Sequence, residues 1–215
     1  NEKLSFEERK LLSYFLQSSG LSMEKRKECL QIFEQGLPVE EVQLPTNNSW
    51  ILKKYFLEIA ILTCWADRRV EAVELDVLNR LAATIGFTHD DVESSLLAVE
   101  GFVLEHWNEL DSLQDKKTFE EVSQEFIQRM ASISARNKSQ LLAESRSSAE
   151  LMILLKRARS SELNAEEKES MRLLLIGILR RIPALAIITL PQHFMTLPVL
   201  MQIFPKNFVV EVLTP

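Results

Sequence analysis

The chain has 215 residues, of which 46% are hydrophobic and 26% charged, enough length and apolar content to bury a core and too much to stay disordered. The net charge is −6, but residues 172–215 carry Arg172, Arg180, Arg181 and Lys206 against Glu211, so this last stretch stands at +3 and residues 1–171 at −9. Five glycines and few alternating Val/Ile/Thr runs leave little material for hairpins, while Leu, Glu, Lys, Gln and Ala recur at helical spacing, so the fold class expected is all-α, a multi-helix bundle.

The opening NEKLSFEERK is acidic and lacks an apolar run, so no signal peptide is expected. It also lacks an initiator Met, as expected of a trimmed chain or a piece of a longer protein. Ser5 stands three residues before Glu8, a capping box for a helix with Leu11, Leu12, Phe15 and Leu16 on one face. A second helix follows Ser22, with Cys29, Leu30 and Phe33 turned inward, and stops at Gly36 and Pro38. The two predict an antiparallel hairpin over 1–46. Pro45 and the cap-type residues after it, in QLPTNNS (43–49), mark a boundary that no helix crosses.

A bundle is then expected over 47–160. Trp50 to Trp65 is apolar apart from Lys53, Lys54 and Glu58 and predicts a central, mostly buried helix. A helix over about 71–85 ends at Gly86, Thr88 to Asp91 forms a further capping box, and the helix it opens runs to about His106. Two more helices are expected over 115–160, the second rich in Ser and Arg, and NAEE (164–167) caps one that runs into the tail.

Chemistry-bearing groups are sparse. Cys29 and Cys64 show no metal spacing, and two free thiols in a reducing compartment are expected. His89, His106 and His193 fall in separate segments without zinc-type spacing. There is no GxGxxG, GxxxxGK[ST] or GxSxG, so no enzyme is expected. One acidic cluster, ADRRVEAVELD (66–76), admits two readings. Glu71 and Glu74 share a helix face and, with Asp67, would surround a divalent cation, the only cofactor the sequence admits; alternatively Asp67 and Glu71 cap helices and pair with Arg68 or Arg69.

This cluster resembles the tellurite-resistance protein B (TerB-like) family. Its pattern is matched by Ala66, Asp67, Val70 and Glu74 at a helix-to-helix turn and by Ile85 and Gly86 at the end of the next helix, over about residues 50–135. Arg68 replaces the family glycine, and Arg69 stands where the family is often acidic. The resemblance implies a helical bundle and, where the acidic turn is intact, a metal-binding stress-response role.

The C-terminal segment, 161–215, raises a membrane question. From Ile182 to Pro205 it has no formal charge and is cut by Pro183, Pro191, Pro198 and Pro205 into pieces too short to span a bilayer, which needs about 20 apolar residues. Composition predicts a proline-broken helical tail packed on the bundle. Residues 172–208 nevertheless resemble the membrane segment of the leucine-zipper, EF-hand-containing transmembrane (LETM) family. They share Arg180 and Arg181 before Pro183, an aliphatic run to Pro191, Leu197 with Pro198, and Phe204 with Pro205. That resemblance implies cation/proton exchange and ribosome contact. Here Phe194 stands where the family commonly has an acidic residue, and no Asp or Glu lies between Met171 and Val210.

Three functions follow. The first is a non-catalytic, LETM-related interaction protein in the cytoplasm or at the inner face of the membrane. It would meet a protein partner or an anionic lipid surface through Arg180, Arg181 and Lys206 and through Phe194, Met195, Leu197 and Phe204. The second is a membrane-integral component of a cation/proton-handling assembly; the third is a metal-binding TerB-like protein using Asp67, Glu71 and Glu74. No nucleic-acid partner is expected, and ribosome contact rests on family analogy alone.

Overall fold

The computed structural model describes residues 6–44, 49–65, 70, 72–109, 118–186 and 195–214. The all-α expectation holds: the chain is a helical bundle, with no strand among the described residues. Two compact units divide it within a helix, the first comprising Asn1–Val99 with Asn108–Lys117 and the second Glu100–Trp107 with Thr118–Pro215.

The first unit contains α1 (Phe6–Ser18), α2 (Met23–Gln35), a 3-10 turn (Val39–Glu41), α3 (Trp50–Cys64), α4 (Ala72–Thr84) and the start of α5 (His89–Glu105). α3 packs on α1 and α4, with the 3-10 turn against α4. Leu57 and Ile61 of α3 are fully buried with Leu78 of α4 and Val92 and Leu96 of α5. The helix ends follow their local chemistry. Ser22 and Ser49 accept from the amides of Lys25 and Leu52, capping α2 and α3. α4 closes on Gly86, whose φ of 87° is left-handed, as the amide of Phe87 donates to the Ala82 carbonyl at 2.8 Å. The Thr88–Asp91 box opens α5: the Thr88 amide donates to Asp91 Oδ2 at 2.8 Å and the Asp91 amide to Thr88 Oγ1 at 3.3 Å. Ser5 lies outside the described residues.

Two expectations fail here. α2 has no buried residue, and Leu30, placed inward by the sequence reading, is exposed. α3 is buried only from Lys54 onward, because residues 54, 57 and 61 share its inner face while Trp50, Ile51 and Leu52 precede it into solvent.

The second unit takes the end of α5 and adds α6 (Phe119–Arg136), α7 (Lys138–Ser147), α8 (Ala149–Ser160), α9 (Ala165–Leu179), α10 (Pro183–Ala186), α11 (Leu197–Ile203) and α12 (Phe208–Leu213). Three helices fill 119–160 where two were expected. Asn137 ends α6 and starts α7, and Ser148 breaks α7 from α8 by accepting from the Leu151 amide. Capping boxes at Thr118–Glu121 and Asn164–Glu167 open α6 and α9.

α6 buries Val122, Phe126, Met130 and Ile133 at helical spacing, and α11 lies on α6 and α9. α12 packs on α7 and α8. A part-buried ion pair joins α5 to α6: Arg129 donates to both carboxylate oxygens of the buried Glu100 at 3.0 to 3.2 Å.

Candidate interaction surfaces

Of the expected cation ligands, Asp67 and Glu71 lie outside the described residues, and Glu74 is half-buried in the first turn of α4. Among the described residues no three His, Cys, Asp or Glu side chains come together as metal ligands. Cys29 and Cys64 are half-buried, and neither is in a disulfide. His89 shares a hydrogen bond with Asn79 through Nδ1 at 2.8 Å, His106 stacks on Phe102, and His193 lies outside the described residues.

The expected tail contacts divide by burial. Arg180, Arg181 and Lys206 are exposed and Leu197 is half-buried, whereas Phe194 and Pro191 lie outside the described residues. Met195 and Phe204 are corrected from contact residues to core: both are buried in the second unit, with Phe204 stacked on Phe208 at 4.3 Å between ring centres. The remaining prolines shape the path. Pro183 opens α10, Pro198 stands in the first turn of α11, and the carbonyl of Pro205 accepts from the Phe208 amide at 3.0 Å. Asn207 follows with a left-handed φ of 62°, a conformation Asn tolerates better than most residues. Arg146 of α7 then secures the end of α12 by donating to the carbonyls of Glu211 and Thr214 at 2.8 and 2.9 Å. No helix among the described residues is long and apolar enough to cross a membrane.

On the first unit the start of α3 forms an exposed apolar patch. Trp50, Ile51 and Tyr55 are 55%, 73% and 59% exposed, with Leu52 beside them and the Trp50 indole edge-on to Phe87 at 6.3 Å. Elsewhere on this unit, α2 exposes Met23, Leu30 and Ile32.

Behind the patch, Lys54 is buried and donates to Ser95 Oγ at 2.6 Å, with Glu58 at 3.8 Å. Burial holds the Lys54 ammonium below the usual lysine range, against the opposing pull of Glu58 and Asp91. Lys54 and Ser95 stand at nucleophile–base distance. Ser95, however, is fully buried and its hydroxyl donates to the Asp91 carbonyl at 2.8 Å, so the pair joins helices with no room for a substrate.

The second unit carries a groove of about 500 Å³ along α9. It is lined by Leu173, Leu174 and Ile178 of α9 and by Glu144 and Glu150. Arg181 donates to Glu144 at 3.0 Å and Ser170 to Glu150 at 3.4 Å, while Gly177 leaves bare backbone, with nothing within 4 Å of where a Cβ would stand. Apart from Arg181, the sequence reading missed these residues. The spacing of Ser170, Leu173, Leu174, Gly177 and Arg181 down one helix face carries the signal, obscured by an α9 that is apolar nearly all round from Leu173 to Leu179.

No family model matches the chain, so neither the TerB-like nor the LETM resemblance has that support, and no solved structure matches it. Among curated proteins, the co-chaperone protein DjlA of Vibrio cholerae is 28% identical over 98 residues, and those of Vibrio vulnificus and Aliivibrio fischeri are each 30% identical over 98 residues. Each match covers 42% of this chain and 34% or 35% of the relative. The chain thus matches about a third of the length of these relatives, which are named as co-chaperones and not as enzymes.

Proposed function

We propose that the chain is a non-catalytic helical protein-interaction module of the kind a co-chaperone uses to meet a protein partner. The observation that carries this reading is the exposed patch of Trp50, Ile51 and Tyr55. Trp and Tyr are the side chains most enriched where protein interfaces concentrate their binding energy, and burying three large apolar groups is worth about 1.5–3 kcal/mol each. The distant similarity to co-chaperones supports the same class of role.

A TerB-like ancestry for about residues 50–135 belongs to this proposal. Its support is the succession of α3, α4 and a left-handed Gly86 cap, the order in which the motif residues were read. For the LETM-type tail the support is narrower. The exposure of Arg180, Arg181 and Lys206 favours, as a second reading, reversible adsorption to an anionic membrane surface. Burial of Met195 and Phe204 counts against deeper insertion of that stretch, and with it against the ion-handling alternative. A divalent cation at Asp67, Glu71 and Glu74 stays a proposal resting on the sequence.

The test is site-specific photo-crosslinking in cells with the photoreactive residue at position 51, compared with the exposed Ile153 of the second unit. A discrete protein adduct at position 51 only, reduced about tenfold or more in a Trp50→Ala/Tyr55→Ala variant of unchanged helicity, is expected. A lack of position-specific adduct, or one indifferent to that variant, overturns the reading.

A further inference from the structure

The groove of the second unit and helix α2 of the first are each incomplete, in complementary ways. α2 is a 13-residue helix with no buried residue, and a helix of that length is marginal in water on its own. Met23, Lys27 and Leu30 fall on one stripe, Met23 being 77% exposed. Lys25, Arg26 and Lys27 all sit near the N-terminal end of α2, where the helix dipole is already positive. Among the described residues no carboxylate pairs with Lys25 or Lys27, and Arg26 Nε is buried with no hydrogen-bond partner. Glu24 and Glu28 flank them and offset two of the three charges, which leaves one net positive charge over residues 24–28 for a carboxylate brought from outside to meet.

The groove supplies such carboxylates. Glu144 and Glu150 line it together with Leu173 and Leu174, and of the two carboxylates Glu144 is neutralised by Arg181. From Ser170 of α9 to Arg181, just past its end, the groove lining runs about three turns, or about 16 Å, which matches most of a 13-residue helix. Gly177 lets another backbone approach closely.

We propose that α2 of one copy of this chain docks in the α9 groove of a second copy. Met23 and Leu30 cover Leu173 and Leu174, and Lys27 faces Glu150. The contact is heterologous, because each copy carries both the helix and the groove, so assembly proceeds head to tail into a ring or an open chain. The inference deepens the reading as an interaction module, and its test uses surfaces separate from the Trp50 patch.

The experiment is analytical ultracentrifugation of the intact chain from low to high micromolar concentration. The expected result is a mass that rises with concentration beyond the monomer, with association weakened about tenfold by Lys27→Glu or by Glu150→Lys. Mixing the two variants, or combining them in one chain, restores association, since reversed charges meet again. Gly177→Trp, which fills the groove, abolishes it. Unchanged helical content and melting temperature in the single variants keep the result from being a folding effect, because both side chains are exposed.

A monomer at every concentration overturns the proposal, as does association indifferent to both charge reversals. Either result leaves the crosslink at position 51 untouched, whereas loss of that crosslink with self-association intact removes the partner reading and keeps this one.

Discussion

Lys54 is the residue at which the sequence and the packing are most directly opposed. The sequence places two lysines side by side in an apolar helix, and one of them must point inward. Helical spacing selects Lys54, since it shares the face of Leu57 and Ile61, and the fold accommodates its ammonium with Ser95 and Glu58. Burial lowers its pKa in the folded protein relative to the unfolded chain. Between the lowered folded value and the unfolded one, the unfolded chain binds more protons, so stability contributed by this group rises with pH across that window. Below the window, both states are protonated and the cost of burying the charge is felt in full. Replacement by Met keeps the stem and removes the charge. Lys54→Met is therefore expected to be as stable as the parent at neutral pH, or more stable by about 1 kcal/mol, and to lose this alkaline rise. Urea denaturation of both proteins at neutral and alkaline pH measures it, and a stability difference independent of pH contradicts the account.

At the scale of an element, the short helices after Pro183 show what the sequence does and does not reveal. The breaks were legible: Pro183 and Pro198 sit in the first turns of α10 and α11, where proline's missing amide costs nothing. The inward faces were not, because a stretch apolar at nearly every position has no periodicity to separate core from surface. Met195, Leu197 and Phe204 therefore read alike in the sequence, although two are buried and one is half-buried. The same ambiguity hid the groove along α9. The caps at Thr88–Asp91 and Asn164–Glu167 were legible as a Thr or Asn three residues before an acid, and Thr118–Glu121 carries the same signal. The burial has an energetic consequence. Phe208 is buried, stacks on Phe204 and joins α12 to its neighbours. Phe208→Ala is expected to cost about 3–5 kcal/mol in urea unfolding, with amide exchange accelerated in α11 and α12 first. A cost below about 1 kcal/mol would mean that α12 does not contribute to the core.

At the scale of the whole molecule, the choice between a protein partner and a lipid surface turns on what the tail can release. Met195, Leu200, Ile203, Phe204, Phe208 and Val212 are all buried in the second unit. Offering them to a bilayer would forfeit burial worth about 1.5–3 kcal/mol for each large side chain, a sum that rivals the 5–15 kcal/mol stability of an ordinary domain. Insertion therefore competes with folding, and among the described tail cations Arg180 and Lys206 can meet lipid without breaking a contact, whereas Arg181 must first leave Glu144. Each contributes about 1 kcal/mol at an anionic surface, and the attraction is screened by salt and opposed by a chain whose net charge is −6. The intact protein is thus expected to stay out of phosphatidylcholine vesicles in a flotation gradient. With phosphatidylserine it is expected to float weakly at low ionic strength and to sink at physiological salt. Replacing Arg180, Arg181 and Lys206 together by Gln abolishes even the low-salt binding. Flotation that survives salt and carbonate would require the tail's buried side chains to leave the core, and accelerated amide exchange through α11 and α12 on vesicles would then reveal a second packing of the same residues.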